Sequence, residues 1–363
     1  MQSKAATKEE NLRILLKNFV ESRDDVKIAF IYSNDGLFLA KYGKTEGTIE
    51  EDQEKEEVYG AFTAIVENLL DKISLEYKSG RYGSGSFETD DNRIIYLEAG
   101  FEAILLLVCD YEINLNKFFP IAYLVVEKIT QLLEDSFDFK YNSLDIPDLN
   151  INDTFSLGLD KFSIQESTPI VNGVKLTHQF TKEKRIEKLF KLIILGSAAV
   201  GKTTLVNRFL KKENIIDYRP TLGICLSTQQ YYVQGFKNDV IKFLIFDLAG
   251  QSYFKRVRRE YYKGANCAFI VYDVTRRDTF EEAINSWFED AKKELGNIPF
   301  VLIGNKIDKE DEREITKEEG LAKAKEIKSF FIETSALHNI NVQDTFKIIG
   351  IGLFFKHFEE DDS

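Results

Sequence analysis

Cysteine and histidine are both scarce in this chain of 363 residues, which contains three of each. Cys109, Cys225 and Cys267 lie far apart, each within an apolar or alternating run of strand length. No two of them have the spacing of metal ligands. The pattern therefore predicts buried, reduced thiols and does not indicate a cysteine-based metal centre.

Long apolar runs are also missing. No stretch approaches the roughly 18 apolar residues of a membrane-spanning helix, and the first residues contain no apolar core of a signal peptide. Residues 358–363 contain no cysteine, so a prenylation motif is absent there. We therefore expect a cytoplasmic protein without a direct lipid anchor, which reaches a membrane only through partners.

An excess of basic residues is absent too. The chain carries 48 Lys and Arg against 60 Asp and Glu, a formal net charge of −12 at pH 7, and residues 1–142 hold most of the acidic excess. Nucleic acid is therefore not an expected partner. The length and a hydrophobic content of 44% predict two domains, each with a core.

Residues 1–142 alternate between helical and strand-like patterns, with a tight-turn signal at Asn34-Asp35-Gly36. The predicted order is α-β-β-α-β-β-β-α, which indicates an α+β domain with a five-stranded antiparallel sheet. The predicted helices are 11–19, 58–75 and 118–137, and the predicted strands are 26–32, 37–42, one entered from the loop 80–87, 94–97 and 101–108.

This element order, together with the hairpin at 30–40, resembles the roadblock family, and the longin fold is a close relative. Residues 1–142 contain no catalytic constellation. The resemblance implies an interaction module that pairs through a sheet edge and a helix. Its partner would be a second copy, giving a homodimer, or a GTPase.

Residues 143–185 differ in composition, with scattered Asn, Asp, Ser and Gly and the prolines Pro147 and Pro169. We predict a partly ordered linker. Apolar residues on both sides of Asn172-Gly173 predict a short hairpin within it.

The stretch 196–203 matches the phosphate-binding pattern G-x-x-x-x-G-K-[ST], and it lies between a strand-like run and a helical pattern. Gly196 and Gly201 let the backbone approach a phosphate closely. The N–H groups at the start of the following helix favour an anion. Lys202 is predicted to bind the β- and γ-phosphates, and the Thr203 hydroxyl is predicted to bind Mg²⁺.

Two later stretches supply the rest of the phosphate chemistry. Thr221 lies in a loop where a threonine can complete the Mg²⁺ shell and sense the γ-phosphate, and Asp247 ends a strand as the metal-binding carboxylate. Gly250 leaves a backbone N–H free to meet the γ-phosphate. Gln251 can orient the attacking water.

The base is predicted from Asn305-Lys306-Ile307-Asp308, an N-K-x-D motif after an apolar strand. The carboxylate of Asp308 can accept hydrogen bonds from N1–H and the amine of guanine, a donor pair that adenine lacks. The stem of Lys306 can lie over the base, and the N–H of Ala336 can reach guanine O6. Asn305 and Asp308 therefore argue against an ATPase.

The predicted site falls into three overlapping sets. The catalytic residues are Lys202, Thr221 and Gln251, and the metal ligands are Thr203, Thr221 and Asp247. The nucleotide-binding residues are Gly196, Ala199, Val200, Gly201, Lys202, Thr203, Thr204, Tyr218, Thr221, Gly250, Asn305, Lys306, Asp308, Ser335, Ala336 and Leu337.

With these motifs in order, residues 188–357 resemble a small GTPase of the Ras superfamily, and the stretches 261–265 and 270–275 are most similar to the Rab branch. The resemblance implies a domain at 186–363 with a six-stranded, mostly parallel α/β sheet and helices on both faces. It implies GTP or GDP with Mg²⁺, and two switch loops near 214–224 and 249–264. It also implies effectors, an exchange factor and a GTPase-activating protein as partners.

Four positions depart from the small-GTPase pattern. Asn214 stands where an aromatic residue usually holds guanine, Ala198 and Ala199 replace glycines that are frequent in the phosphate loop, and Leu248 replaces a threonine. Two functions therefore stay open: a switch that hydrolyses GTP slowly, and a nucleotide-gated scaffold with negligible hydrolysis. The glutamine at 251 favours the first.

Overall fold

The structure is a computed structural model. It describes residues 7–34, 36–44, 81–89, 91–100, 103–147, 170–171, 174–180, 187–211, 224–232, 240–248 and 261–361. The predicted helix 58–75, residues 214–223 of the first predicted switch loop and residues 249–260 of the second lie outside these ranges. So do four predicted site residues, namely Tyr218, Thr221, Gly250 and Gln251.

The N-terminal part that the structure describes contains two helices and one sheet. Helix α1 begins after Thr7, whose hydroxyl accepts a hydrogen bond from the N–H of Glu10 at 3.2 Å, an N-cap. The elements in chain order are α1 (Lys8–Glu21), β1 (Val26–Ser33), β2 (Phe38–Gly43), β3 (Arg81–Glu88), β4 (Asn92–Ala99), β5 (Ala103–Asp110), α2 (Leu115–Leu133), β6 (Ile170–Val171) and β7 (Val174–Phe180).

The sheet formed by these strands, the N-terminal sheet, is antiparallel and has the order β2-β1-β5-β4-β3-β7-β6. The five predicted strands are present. The sheet gains two more from the predicted linker, because β6 and β7 form the expected hairpin, in which Val171 pairs with Val174, and β7 pairs with β3. The hairpin thereby covers the N–H and C=O groups of β3 that would otherwise form an open edge.

The C-terminal part alternates strands and helices. Its elements are β8 (Glu187–Leu195), α3 (Lys202–Phe209), β9 (Ile224–Tyr232), β10 (Val240–Leu248), β11 (Cys267–Asp273), α4, β12 (Phe300–Asn305), α5 (Lys317–Glu326), β13 (Phe330–Thr334) and α6 (Val342–Asp361). Helix α4 consists of Arg277–Glu282, a π-helical segment Ala283–Phe288 and Glu289–Leu295 in direct succession.

These strands form the C-terminal sheet, with the order β13-β12-β11-β8-β10-β9. All pairs are parallel except β9 with β10. Buried side chains of α3 and α6 pack on one face, whereas those of α4 and α5 pack on the other. The predicted six-stranded, mostly parallel sheet with helices on both faces is thus confirmed. The carboxyl ends of its parallel strands meet at one edge, where ligands of such folds bind.

The prediction of three buried thiols is wrong for Cys225. Cys109 and Cys267 are buried, whereas Cys225 is exposed. It lies on β9, the edge strand of the C-terminal sheet, which pairs on one side only. Neighbouring Leu226 is exposed as well, so the described side chains of this edge strand are open to solvent around Cys225.

One apolar core extends from the N-terminal sheet, by way of α2 and α6, to the C-terminal sheet. Helix α2 packs against α1 and β4 on one side and against α6 on the other, and α6 in turn packs against α3, β8 and β10. The rings of Phe209 and Phe346 stack at 4.0 Å where α3 meets α6. Every side chain of α6 that the structure describes is buried, because the helix lies between α2 and the C-terminal sheet.

Four charged residues lie within this contact between α2 and α6. Lys128 Nζ lies 2.7 Å from Asp344 Oδ2, and Lys347 Nζ lies 2.7 Å from Glu127 Oε1. The pairs are crossed, since each helix contributes one acid and one base. Both pairs form in one register of the two helices, and a shifted register would leave buried charges without partners.

Among the helices that the structure describes, none combines the length and the apolar composition that crossing a membrane requires.

Candidate functional site

The phosphate loop 196–201 follows β8 and leads into α3. Its backbone turns through the left-handed region at Gly196 (φ 140°), Ala199 (φ 63°) and Gly201 (φ 98°). A Cβ at Gly196 would lie 2.1 Å from the carbonyl oxygen of Val271, and a Cβ at Gly201 would lie 2.3 Å from Asn305 Nδ2. Glycine is therefore required at both ends of the loop by close contacts as well as by backbone angle.

Lys202 is buried at the start of α3, and its ammonium group lies against the loop. Nζ donates hydrogen bonds to the carbonyl oxygens of Gly196 at 2.8 Å and Ser197 at 2.7 Å. The positive charge is thus held above the concave side of a turn that ends at a helix N-terminus. This geometry favours an anionic group such as a phosphate.

Two side chains of α4 and that of Arg276, the residue before this helix, brace the phosphate loop, and the sequence patterns did not indicate them. Glu282 accepts a hydrogen bond from the Ser197 hydroxyl, and Trp287 Nε1 donates to the same hydroxyl oxygen at 3.3 Å. An Arg276 nitrogen donates to the carbonyl oxygen of Ala198 at 3.0 Å. These contacts hold Ser197 and Ala198, and Ala198 is one of the two loop positions that lack the usual glycine.

Asp247 has the properties of a residue that binds a cation. It is 1% exposed, Oδ2 accepts a hydrogen bond from the Thr203 hydroxyl, and Oδ1 has no partner among the described residues. Burial raises the pKa of Asp247, and Thr203 and Lys202 only partly oppose this. An unpartnered buried carboxylate oxygen beside a hydroxyl fits Mg²⁺, which prefers oxygen ligands. Thr221, the third predicted ligand, lies outside the described residues.

Asp247→Asn should make nucleotide release insensitive to Mg²⁺, because the amide preserves the shape of the side chain but removes the charge. We expect chelation to accelerate GDP release about ten-fold or more in the parent and to change it little in the variant. The measurement is the release of a fluorescent GDP analogue with and without EDTA. Asp278→Asn, an exposed carboxylate on α4, is the matched control. A parent-like response to EDTA in Asp247→Asn would remove this residue from the metal site.

Asn305 connects the phosphate loop to the loop 335–341 that follows β13, which we call the base loop. Its side chain is 1% exposed. Nδ2 donates to the carbonyl oxygen of Val200 at 2.8 Å, and Oδ1 accepts from the Thr334 hydroxyl and from the Ala336 N–H, both at 3.1 Å. Asn305 therefore braces both halves of the site.

The same contact revises one expectation. We expected the Ala336 N–H to be free to reach guanine O6, whereas in the structure it donates to Asn305 Oδ1. The reason is that Asn305 lies between the two loops and satisfies a buried N–H that would otherwise carry a desolvation cost. A base oxygen would have to share this N–H.

The other two residues of the N-K-x-D motif are also held in place. Lys306 has a left-handed backbone (φ 72°), and its ammonium group donates to Asp273 at the end of β11. Burial alone would raise the pKa of Asp273, but hydrogen bonds from Lys306 and Thr275 outweigh it and hold the pKa below its ordinary value. Asp308 accepts a hydrogen bond from the Ser335 hydroxyl, so the base loop orients the carboxylate predicted to recognise guanine.

The described predicted residues gather at the carboxyl edge of the C-terminal sheet. Thr204 lies in the first turn of α3, and the exposed Leu337 lies in the base loop. Arg208, which the patterns did not indicate, donates to the carbonyl oxygens of Ala336 at 3.1 Å and Leu337 at 2.5 Å. Because these braces join distant parts of the chain, no local spacing signals them.

Comparison with known proteins agrees with this arrangement. A model of the Ras family matches residues 191–351. Ras-related protein RABA5e of Arabidopsis thaliana is 38% identical over 173 residues, which is 47% of this chain and 78% of the relative. Ras-related protein RABA5b of the same plant is 41% identical, over 45% of this chain and 74% of the relative.

Ras-related protein Rab-2B of Dictyostelium discoideum is 38% identical over 48% of this chain and 86% of its own length. Each match covers about three quarters or more of a Rab-related protein but less than half of this chain. With a phosphate loop, a metal-type carboxylate and an N-K-x-D motif at one sheet edge, the chain belongs to the Ras family and is Rab-like within the Ras superfamily.

Proposed function

We propose that this protein is a GTP-binding molecular switch that hydrolyses GTP to GDP and phosphate. The observation that carries the proposal is the double contact of Asn305, which joins Val200 of the phosphate loop to Ala336 of the base loop. This contact makes the phosphate side and the base side of the site one rigid unit. Such a unit suits a nucleotide bound by both ends, with Asp308 selecting guanine.

The chain's own residues divide the work of hydrolysis. Lys202 and the N–H groups at the start of α3 stabilise charge on the phosphates, and Gln251 orients the attacking water. Thr203, Asp247 and Thr221 would hold Mg²⁺, which when bound would neutralise further charge on the phosphates. Without an arginine contributed by a partner, we expect turnover of about 10⁻⁴–10⁻² s⁻¹.

The switching element of the proposal is the pair of loops near 214–224 and 249–264. Thr221 and Gly250 would contact the γ-phosphate and order these loops, and hydrolysis would release them. Effectors, an exchange factor and a GTPase-activating protein are the partners that such a cycle requires. We propose a trafficking-type or membrane-associated signalling role for this cycle, and the similarity to Rab-related proteins supports the proposal.

The N-terminal part is proposed to be an interaction module of the roadblock or longin type in a cytoplasmic protein that reaches membranes through partners. Its sheet order β2-β1-β5-β4-β3 supports this proposal. Its contact with the GTPase part uses α2 and α6. For a homodimer we propose the β2 edge, because Leu37 and Phe38 are exposed there among the described residues.

Gln251→Leu tests hydrolysis directly. We expect nucleotide affinity close to that of the parent and single-turnover hydrolysis slowed about ten-fold or more, because the residue acts on water and not on the bound nucleotide. The measurement is phosphate release from preloaded GTP. Gln229→Leu, on edge strand β9, controls for the loss of a glutamine elsewhere.

Equal rates for Gln251→Leu and a measurably active parent would remove Gln251 from the mechanism. A parent that binds GTP but releases no phosphate would instead support the nucleotide-gated scaffold, in which GTP stabilises one shape of the two-part molecule.

A further inference from the structure

The base loop is closed by hydrogen bonds within its own backbone, and other residues of the GTPase part hold it in place. Ser335 and Ile340 exchange two backbone hydrogen bonds, of 3.2 and 3.0 Å, across its mouth. Arg208 holds the carbonyl oxygens of its first half. In the second half, Asn339 has a left-handed backbone (φ 59°), and its side chain contacts the N-terminal part.

Asn339 is anchored by a residue outside the stretch that matches the Ras family. Its Nδ2 donates to the carbonyl oxygen of Tyr141 at 2.6 Å. The Tyr141 side chain is 7% exposed, and its hydroxyl donates to the carbonyl oxygen of Lys211 at 3.4 Å. The Lys211 ammonium lies 5.2 Å from the centre of the tyrosine ring. Tyr141 thus lies between the end of α3 and the base loop and touches both.

The segment that carries Tyr141 is itself fixed by buried groups. Lys128 Nζ donates to the carbonyl oxygens of Ser143 at 2.6 Å and Asp145 at 2.8 Å. Asn18 Nδ2 donates to the carbonyl oxygen of Leu144 at 3.1 Å. Since Lys128 also pairs with Asp344 on α6, the segment is held to both parts of the molecule at once. It is therefore a firm support for the base loop.

A short chain of contacts connects this support to the base-reading carboxylate. Asn339 belongs to the same closed turn as Ser335, and the Ser335 hydroxyl donates to Asp308. A displacement of the turn would move the hydroxyl that orients Asp308. The carboxylate would then meet the guanine amine less favourably.

We propose that Asn339 and Tyr141 are positioning residues. Through them, the N-terminal part slows the release of guanine nucleotides and strengthens the preference of the site for guanine. The inference rests on the proposed function, since it concerns the same site. The N-terminal part then acts on the nucleotide cycle of its own chain, in addition to any interaction with partners.

Asn339→Gly in the full chain tests the proposal. Glycine accepts the positive φ without strain but lacks the amide that reaches Tyr141. We expect GDP release about ten-fold faster than in the parent. We also expect a smaller preference for GDP over inosine diphosphate, which lacks the exocyclic amine, because Asp308 is no longer held in register. Both are measured by competition with a fluorescent GDP analogue.

Two further variants separate positioning from general damage. Asn339→Asp keeps the size and the backbone preference of the residue but replaces the donor with an acceptor, so it should act like Asn339→Gly. Phe139→Ala, which removes a side chain 57% exposed in the same segment, should leave release and selectivity as in the parent.

The proposal is overturned if both Asn339 variants release GDP like the parent and keep its preference for GDP. It is also overturned if they lower the melting temperature and weaken both nucleotides equally, since that is the signature of a merely structural contact. A parent that binds no guanine nucleotide would instead overturn the proposed function. The two failures are therefore distinguishable.

Discussion

Lys128→Met is expected to lower the free energy of unfolding of the full chain by about 3–5 kcal/mol, because it leaves a buried carboxylate without its partner. The side chains of Lys128 and Asp344 are 1% and 5% exposed. The ammonium group uses all three of its donors, on Asp344 and on two backbone carbonyl oxygens. Methionine fills a similar volume but satisfies none of these acceptors.

The measurement is equilibrium unfolding in urea, followed by circular dichroism. Lys27→Met is the matched control, because Lys27 pairs with Asp110 at 2.9 Å in a half-exposed position and should contribute about 1 kcal/mol or less. The double variant Lys128→Met/Asp344→Leu removes both charges and should recover part of the loss. A loss in Lys128→Met no larger than in Lys27→Met would show that the two parts are not joined through this pair.

Asp308→Ala is expected to weaken GDP and GTP by about 3 kcal/mol, or about 100-fold in the dissociation constant, since guanine donors would lose a charged acceptor. The preference over inosine diphosphate and ATP should fall at the same time. The structure adds a second contribution, because the Ser335 hydroxyl would lose the carboxylate to which it donates. The variant would therefore remove a contact of the base loop in addition to the contact with the guanine base.

Titration calorimetry with each nucleotide checks this expectation. Asp311→Ala removes an exposed carboxylate from the adjacent turn Glu310–Glu312 and serves as the control. If Asp308→Ala binds GDP like the control, guanine is not read by the N-K-x-D motif and the base assignment fails.

The sequence was informative where the chemistry depends on short spacings. The phosphate loop, the N-K-x-D motif and the alternation of strands and helices are local patterns, and the structure places each described motif at the end of its predicted strand. The braces Arg208, Arg276 and Tyr141 were missed for the opposite reason. Each acts on backbone atoms far away in the chain, and such atoms leave no residue pattern.

The contact between the two parts is also indicated by the sequence, through the apolar composition of two helices. The pattern at 118–137 predicted a helix with one apolar face, but the run Ile121-Ala122-Tyr123-Leu124-Val125-Val126 is apolar on every side. All six side chains are buried. A helix that is apolar all round is buried on all sides. The run 348–354 in α6 has the same character, and the two helices cover each other.

The position of α6 between α2 and the C-terminal sheet has a consequence for biosynthesis. A ribosome makes α2 long before α6, so the apolar outer side of α2 has no cover while the chain that follows it is still being made. The N-terminal sheet can form early, but the outer side of α2 becomes covered only when α6 has been made and has docked. During translation this surface is a natural client for a chaperone, and truncated nascent chains should be far more prone to aggregate than the finished protein.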